Sequence, residues 1–158
     1  MGRCIPLLLC IFFLFSGCRA APLSQKELLL AFQCRAEIQY GDETFDCALN
    51  RQGPGVVSYR MEGLGYHWKG DGFSQTCAGL EAEEGACPLP RQNFAVQVNR
   101  FLDALHREGA LQPLSNGELE GSLEGESFTV KADPASGRLE ELRVSQLSLT
   151  VRFYAYEG

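Results

Sequence analysis

Cys18 is the residue whose surroundings come nearest to specifying a chemistry. It follows Leu14-Phe15-Ser16-Gly17 at the end of an apolar run. Small residues directly ahead of such a cysteine read as a lipobox, in which a peptidase cuts before the cysteine and its thiol carries a lipid. Phe15 stands where Leu is usual, with Leu14 beside it. The run from Ile5 to Phe15 is too short to cross a hydrocarbon core as a helix but fits a signal-peptide h-region, and Arg3 is the one charged side chain before it. The pattern predicts a signal peptide over 1–17, a lipid-anchored linker over 18–26 and a single β-rich domain over 27–158. Its location is then the extracytoplasmic face of a cell membrane. Ordinary cleavage after Ala20 or Ala21 is the rival route, which discards Cys18 and frees the domain by secretion.

Four further cysteines, Cys34, Cys47, Cys77 and Cys87, remain under either route. An even number in an exported chain permits two disulfides. Cys77 and Cys87 flank the short acidic loop from Ala78 to Ala86 and are the first candidate pair. Cys34 and Cys47 fall on neighbouring strands in a diagonal register and are the second, with two buried free thiols as the alternative. No CxxC or histidine pair accompanies them, so a metal site is not expected.

Other chemistry is not signalled. The chain lacks GxSxG, HExxH, P-loop and dinucleotide fingerprints. His67 lies on a strand and His106 on the polar side of a helix, both in positions of solvated surface. Glu81, Glu83 and Glu84 form a run that reads as a hydrated loop. These patterns predict a protein that is not an enzyme and carries no cofactor. With 14 basic against 20 acidic residues the 158-residue chain has a formal net charge of −6. That excludes sequence-independent nucleic-acid binding and adds no electrostatic pull toward anionic lipid, so a membrane partner would be held through the Cys18 anchor alone.

The elements that must carry these residues are legible from hydrophobic period. Ser24 and Glu27 have capping-box spacing and predict a helical turn over Glu27 to Ala31. Alternation then takes over, with Phe32, Cys34, Ala36, Ile38 and Tyr40 on one face, a Gly41-Asp42 turn, and Phe45, Cys47 and Leu49 returning. Pairing Tyr40 with Glu43 sets Ile38 against Phe45 and Ala36 against Cys47, a register that a one-residue slip would destroy. Arg51 to Gly55 reads as the next turn. Val57, Tyr59 and Met61 follow, then Gly63-Leu64-Gly65, then Tyr66 and Trp68. Gly70-Asp71 turns the chain so that Trp68 faces Phe73.

From Phe94 the period changes. Phe94, Val98, Phe101, Leu102 and Leu105 make one helical stripe, with Asn99, Arg100, Asp103, His106 and Arg107 opposite, Pro90 in the first turn and Gly109 closing the end. Strands then resume around Leu119–Leu123, Phe128–Ala132, Leu139–Gln146 and Leu147–Ala155, where Tyr154 and Tyr156 take the outer parity as candidate partner contacts. The fold class is α+β, a curved antiparallel sheet of about eight to nine strands packed on one main amphipathic helix.

This layout resembles the LolA-like superfamily of lipoprotein carriers and lipid-binding lipoproteins, and more closely a group of small bacterial lipoproteins within it. The stretches that carry the likeness are Ile38 to Asp42, Arg51 to Val56, Asp133 to Gly137 and Ser148 to Val151. The resemblance implies a half-open β-barrel whose apolar concave face accommodates acyl chains or another apolar ligand. Ile38, Phe45, Tyr59, Met61, Trp68, Phe73, Val130, Leu149, Val151 and Phe153 are the implied lining. The bland alternative is that these side chains are core, packed against Phe94, Val98, Phe101 and Leu105. The expectation is an anchored, non-enzymatic protein that binds an apolar ligand or an envelope component on that face. The alternative is a protein-interaction or regulatory module with the same fold and no cavity.

Overall fold

The computed structural model describes residues 23–78, 80–81 and 89–158. The lipobox expected at Cys18, and the expected Cys77–Cys87 pairing through its second member, lie outside the described residues.

Eleven strands form one antiparallel sheet: β1 Phe32–Tyr40, β2 Glu43–Gly53, β3 Val56–Met61, β4 Leu64–Lys69, β5 Gly72–Cys77, β6 Leu80–Glu81, β7 Leu111–Pro113, β8 Leu119–Leu123, β9 Glu126–Ala132, β10 Leu139–Val144 and β11 Leu149–Glu157. Their spatial order is β6-β5-β4-β3-β2-β1-β11-β10-β9-β8-β7. Two meanders are therefore joined by a β1–β11 seam that pairs Ile38 with Val151 and Tyr40 with Leu149. The sheet does not close, because β6 and β7 are its free edges. The class is α+β, as the alternating pattern predicts. The strand count is higher than expected by β6 and β7, which are too short to show a period of two.

Sequence register and observed register coincide in the β1–β2 hairpin, with Tyr40 opposite Glu43, Ile38 opposite Phe45 and Ala36 opposite Cys47. The β4–β5 hairpin likewise sets Trp68 against Phe73, their ring centroids 4.9 Å apart. Elsewhere the boundaries moved. β2 runs on to Gly53, so Arg51 and Gln52 belong to a strand and only Pro54-Gly55 turns the chain. β10 stops at Val144, and a 3-10 turn over Ser145–Leu147 precedes the left-handed Ser148 (φ 48°). In β11 a positive φ of 48° at Ala155 breaks the alternation. Ala155 turns outward, and Tyr156 swings in to pack on Phe32 and donate its hydroxyl to the Leu139 carbonyl at 2.7 Å. Of the two expected outer tyrosines, Tyr154 alone is exposed.

The helix α1 spans Phe94–Ala104 and lies on one face of the sheet. Its start is set by Asn93, whose side-chain oxygen accepts the Ala95 amide at 2.9 Å and satisfies one orphan donor of the first turn. Pro90 lies ahead of the N-cap and not in the first turn, and the helix ends at Ala104 with Leu105 as its C-cap, short of Gly109. The far end is capped from a distance. The Gln25 side-chain amide donates to the carbonyls of Leu105 (2.8 Å) and Arg107 (2.6 Å) and accepts the Leu111 amide at 3.2 Å. One side chain thereby satisfies the C-cap carbonyl, a carbonyl of the turn after it and an edge-strand donor.

That glutamine sits in an N-terminal strap, residues 23–31. The expected helical turn over Glu27 to Ala31 is instead a 3-10 turn over Gln25–Glu27 with extended chain after it. The Glu27 carboxylate still accepts the Ser24 amide at 2.6 Å, as a capping box should. Leu23 and Leu28 are buried, and the Leu29 amide donates to the Gly137 carbonyl at 2.8 Å. A helix cannot continue where backbone pairs this closely with another turn. The described part of the 18–26 segment is thus docked on the fold.

Gly137 is where the strap and the β9–β10 turn touch. Its φ is +69°, and a Cβ there would stand 1.8 Å from the Glu27 carbonyl oxygen. Gly137→Ala is expected to lower unfolding free energy by about 3 kcal/mol in urea titration, since it combines a left-handed non-glycine with a main-chain clash.

Candidate functional site: the concave face and its helix

Inward-facing residues of both meanders form a continuous apolar surface, and α1 lies across it. Of the ten residues implied as a cavity lining, Ile38, Tyr59, Phe73, Val130, Leu149, Val151 and Phe153 are buried, while Phe45, Met61 and Trp68 are half-buried against the same cluster. The structure brings all ten to one core, together with Val98, Phe101, Leu102 and Leu105 from the helix side, each fully buried. Phe94 is the centre of the contact. It stacks on Phe45 at 4.1 Å and meets Tyr59 edge-on and Tyr66 obliquely at 6.2 Å each.

The sheet must curve to do this. β4 and β9 are six strand intervals apart, about 29 Å if the sheet were flat. Yet Phe94 touches Tyr66 on β4, and Arg100, less than two turns on, bonds Glu126 on β9 at 3.0 Å. Phe101 also meets Phe128 of β9 at 5.4 Å. Gly121 on β8 makes room for that ring: a Cβ there would stand 2.5 Å from the Phe128 ring.

The polar side of α1, expected to be solvated, is where the helix is tied down. Tyr59 donates its hydroxyl to Asn99 Oδ1 at 2.6 Å, and burial pushes that phenol well above its ordinary range. Arg51 on β2 bonds Asp103 Oδ1 at 2.6 Å, an oxygen that lies 3.4 Å from the Gly55 amide. Arg100 bonds Glu124 and Glu126 at 3.0 Å each, and Arg91 pairs with Glu124. Asn99 and Asp103 are one turn apart and reach one half of the sheet; Arg100 reaches the other.

Arg51 is the residue that sequence reasoning missed. It is 1% exposed, follows the inward parity of Cys47 and Leu49, and its Nε and Nη1 are buried without a partner. Reading Arg51 to Gly55 as a turn hid it. The available signal was that parity, two and four residues back.

The described cysteines are free thiols, with Cys34 and Cys47 buried and Cys77 exposed. Cys34 lies opposite Leu49 and Cys47 opposite Ala36, the diagonal arrangement expected. Cys47 makes a weak bond to the Ala36 carbonyl at 3.7 Å. Burial, ahead of the other groups' fields, pushes both buried thiols up to about 12. His67 and His106 are both exposed, and burial of part of the ring holds His106 below its usual value, with Arg51 adding to the effect. Among the described residues no three His, Cys, Asp or Glu side chains are grouped as metal ligands would be. No described helix is long and apolar enough to cross a membrane.

Asp103→Ala strands a desolvated guanidinium and should cost about 3 kcal/mol, whereas Arg51→Met replaces it with an apolar chain beside a partly hydrated carboxylate and should cost less than half as much. Chemical denaturation of both variants checks the order. Alkylation at pH 8 should leave Cys34 and Cys47 unmodified in the native protein and label both after denaturation. Because the native thiols hold their protons above the unfolded value near 9, stability should fall as pH rises from about 9 toward 12. Comparison with known proteins found no matching family model, no similar curated protein and no similar solved structure.

Proposed function

We propose that this chain is a membrane-anchored, extracytoplasmic, non-enzymatic protein that works as an interaction module on a LolA-like, half-open barrel. The observation that carries the reading is the seating of α1. Phe94 stacked on Phe45 at 4.1 Å and a fully buried Phe101 occupy the face where a carrier of this type would hold acyl chains. Side chains of α1 and the sheet packed against one another there take the place a ligand would need. Recognition of an envelope component then falls to outer surfaces. The Leu14 to Cys18 pattern supports the anchor.

A second reading, an apolar ligand bound along the concave face, is favoured by one feature. Trp68, Leu89 and Val96 line an open groove of about 450 Å³ at the seam between α1 and the sheet, with Asn99 and Arg100 on its rim. An acyl chain wedging into this seam would have to lift the helix and break its polar ties.

Native mass spectrometry of the lipid-modified protein extracted from membranes separates the two. The interaction-module reading predicts the mass of the chain plus covalently attached acyl groups and nothing released on collisional activation. A stoichiometric, non-covalent lipid that dissociates on activation would transfer the argument to the seam.

A further inference from the structure

We infer that the strap end of the domain is a docking surface for the bilayer itself, with Leu29 and Leu30 resting in the lipid interface. The inference depends on the anchor reading of Cys18, and adds to it an orientation and a contact.

The first observation is a length. Cys18 and the buried Leu23 are five residues apart, and five residues span at most about 18 Å when fully extended. β1 alone has nine residues, about 30 Å of strand. A lipid on Cys18 is therefore a leash shorter than the domain it holds. However the domain rotates, the strap stays within that leash of the membrane.

The second observation is which end of the fold the strap occupies. β1 leaves the strap at Phe32 and ends at Gly41-Asp42, and the antiparallel registers sort every turn by end. Pro54-Gly55, Gly70-Asp71 and Asp133 to Gly137 lie at the strap end, together with the C-terminal end of α1. Gly41-Asp42, Glu62-Gly63 and Glu124-Gly125 lie at the opposite end, where all three non-glycine turn residues, Asp42, Glu62 and Glu124, are acidic and would meet an anionic membrane unfavourably.

The third observation is apolar surface at the right place. Leu29 is 38% exposed, one of two large apolar side chains standing exposed among the described residues. The other, Tyr154, has its hydroxyl bonded to Asp46 on the outer face of the sheet. Leu29 is presented on a fixed backbone, held by its amide to Gly137. Beside it Leu28, Leu30, Leu105 and Leu111 line an open groove of about 490 Å³ between strap and helix end. Nothing in the chain's net charge of −6 draws it to a membrane, so a contact here is apolar, made by side chains that the short leash keeps at the interface.

The test uses the lipid-modified full chain in vesicles of brominated phosphatidylcholine, where bromine quenches only tryptophan near the acyl chains. Trp68 is the single tryptophan. Two chains are compared in a Trp68→Phe background, one carrying Leu29→Trp and one carrying Asp42→Trp at the opposite end. The expected result is that emission from position 29 falls by about half relative to unbrominated vesicles, as for a side chain seated at the headgroup–acyl boundary, while emission from position 42 is unchanged. Equal response at the two positions in vesicle-bound protein overturns the docking surface and leaves the anchor standing. A blue shift at position 29 that ignores bromine points to a protein covering Leu29 and overturns it too. Protein that carries no acyl group and fails to sediment with vesicles removes the anchor, and the inference with it.

Discussion

Everything in this structure depends on keeping one apolar, strongly curved face of an eleven-stranded sheet away from water, and α1 is what does it. An open sheet of this width has no second sheet to pack against and does not close on itself. The helix is only eleven residues long. It suffices because the sheet wraps around it, so that rings from β2, β3 and β4 meet Phe94 while β9 meets Phe101. Aromatic side chains suit this geometry, since each covers a large area from few anchor points. The polar ties then fix where along the face the helix sits. Arg51–Asp103 and Tyr59–Asn99 hold one half of the sheet, and Arg100 with Glu124 and Glu126 holds the other.

Much of this was legible in the residues. The β1–β2 register followed from apolar matching and the short Gly41-Asp42 turn, because a one-residue slip turns Ile38 and Cys47 to opposite faces. The helix followed from its stripe. What escaped were features decided by distant partners. Arg51 is charged, and its burial depends on Asp103, fifty-two residues away. The end of α1 is governed by Gln25 rather than by Gly109, and the strap is extended because Gly137 lies against it. The bulge at Ala155 breaks a pattern that had looked regular to the last residue. Local propensity says little where a long-range contact sets the backbone. The ten lining positions were placed on the right face, but whether they formed core or cavity turned on how closely the helix descends, which no periodicity encodes.

The N-terminal strap ties these levels together. Through Gln25 it secures the helix end, through Leu29 it meets the β9–β10 turn, and Leu23 and Leu28 join the core. With the anchor proposed at Cys18, five residues before Leu23, a strap that is itself structural would hold the domain close to its point of attachment. Seated helix and docked strap are the two features on which the proposed interaction module rests, since each fixes a surface in place.

Native-state hydrogen exchange of the α1 amides from Gln97 to Ala104, set against those of the β1–β11 seam, tests this most directly. If the helix is core, both sets exchange through the same global unfolding, with matching protection and matching denaturant dependence. Exchange of α1 at far lower free energy, with the seam still closed, would contradict the account and make the helix a lid.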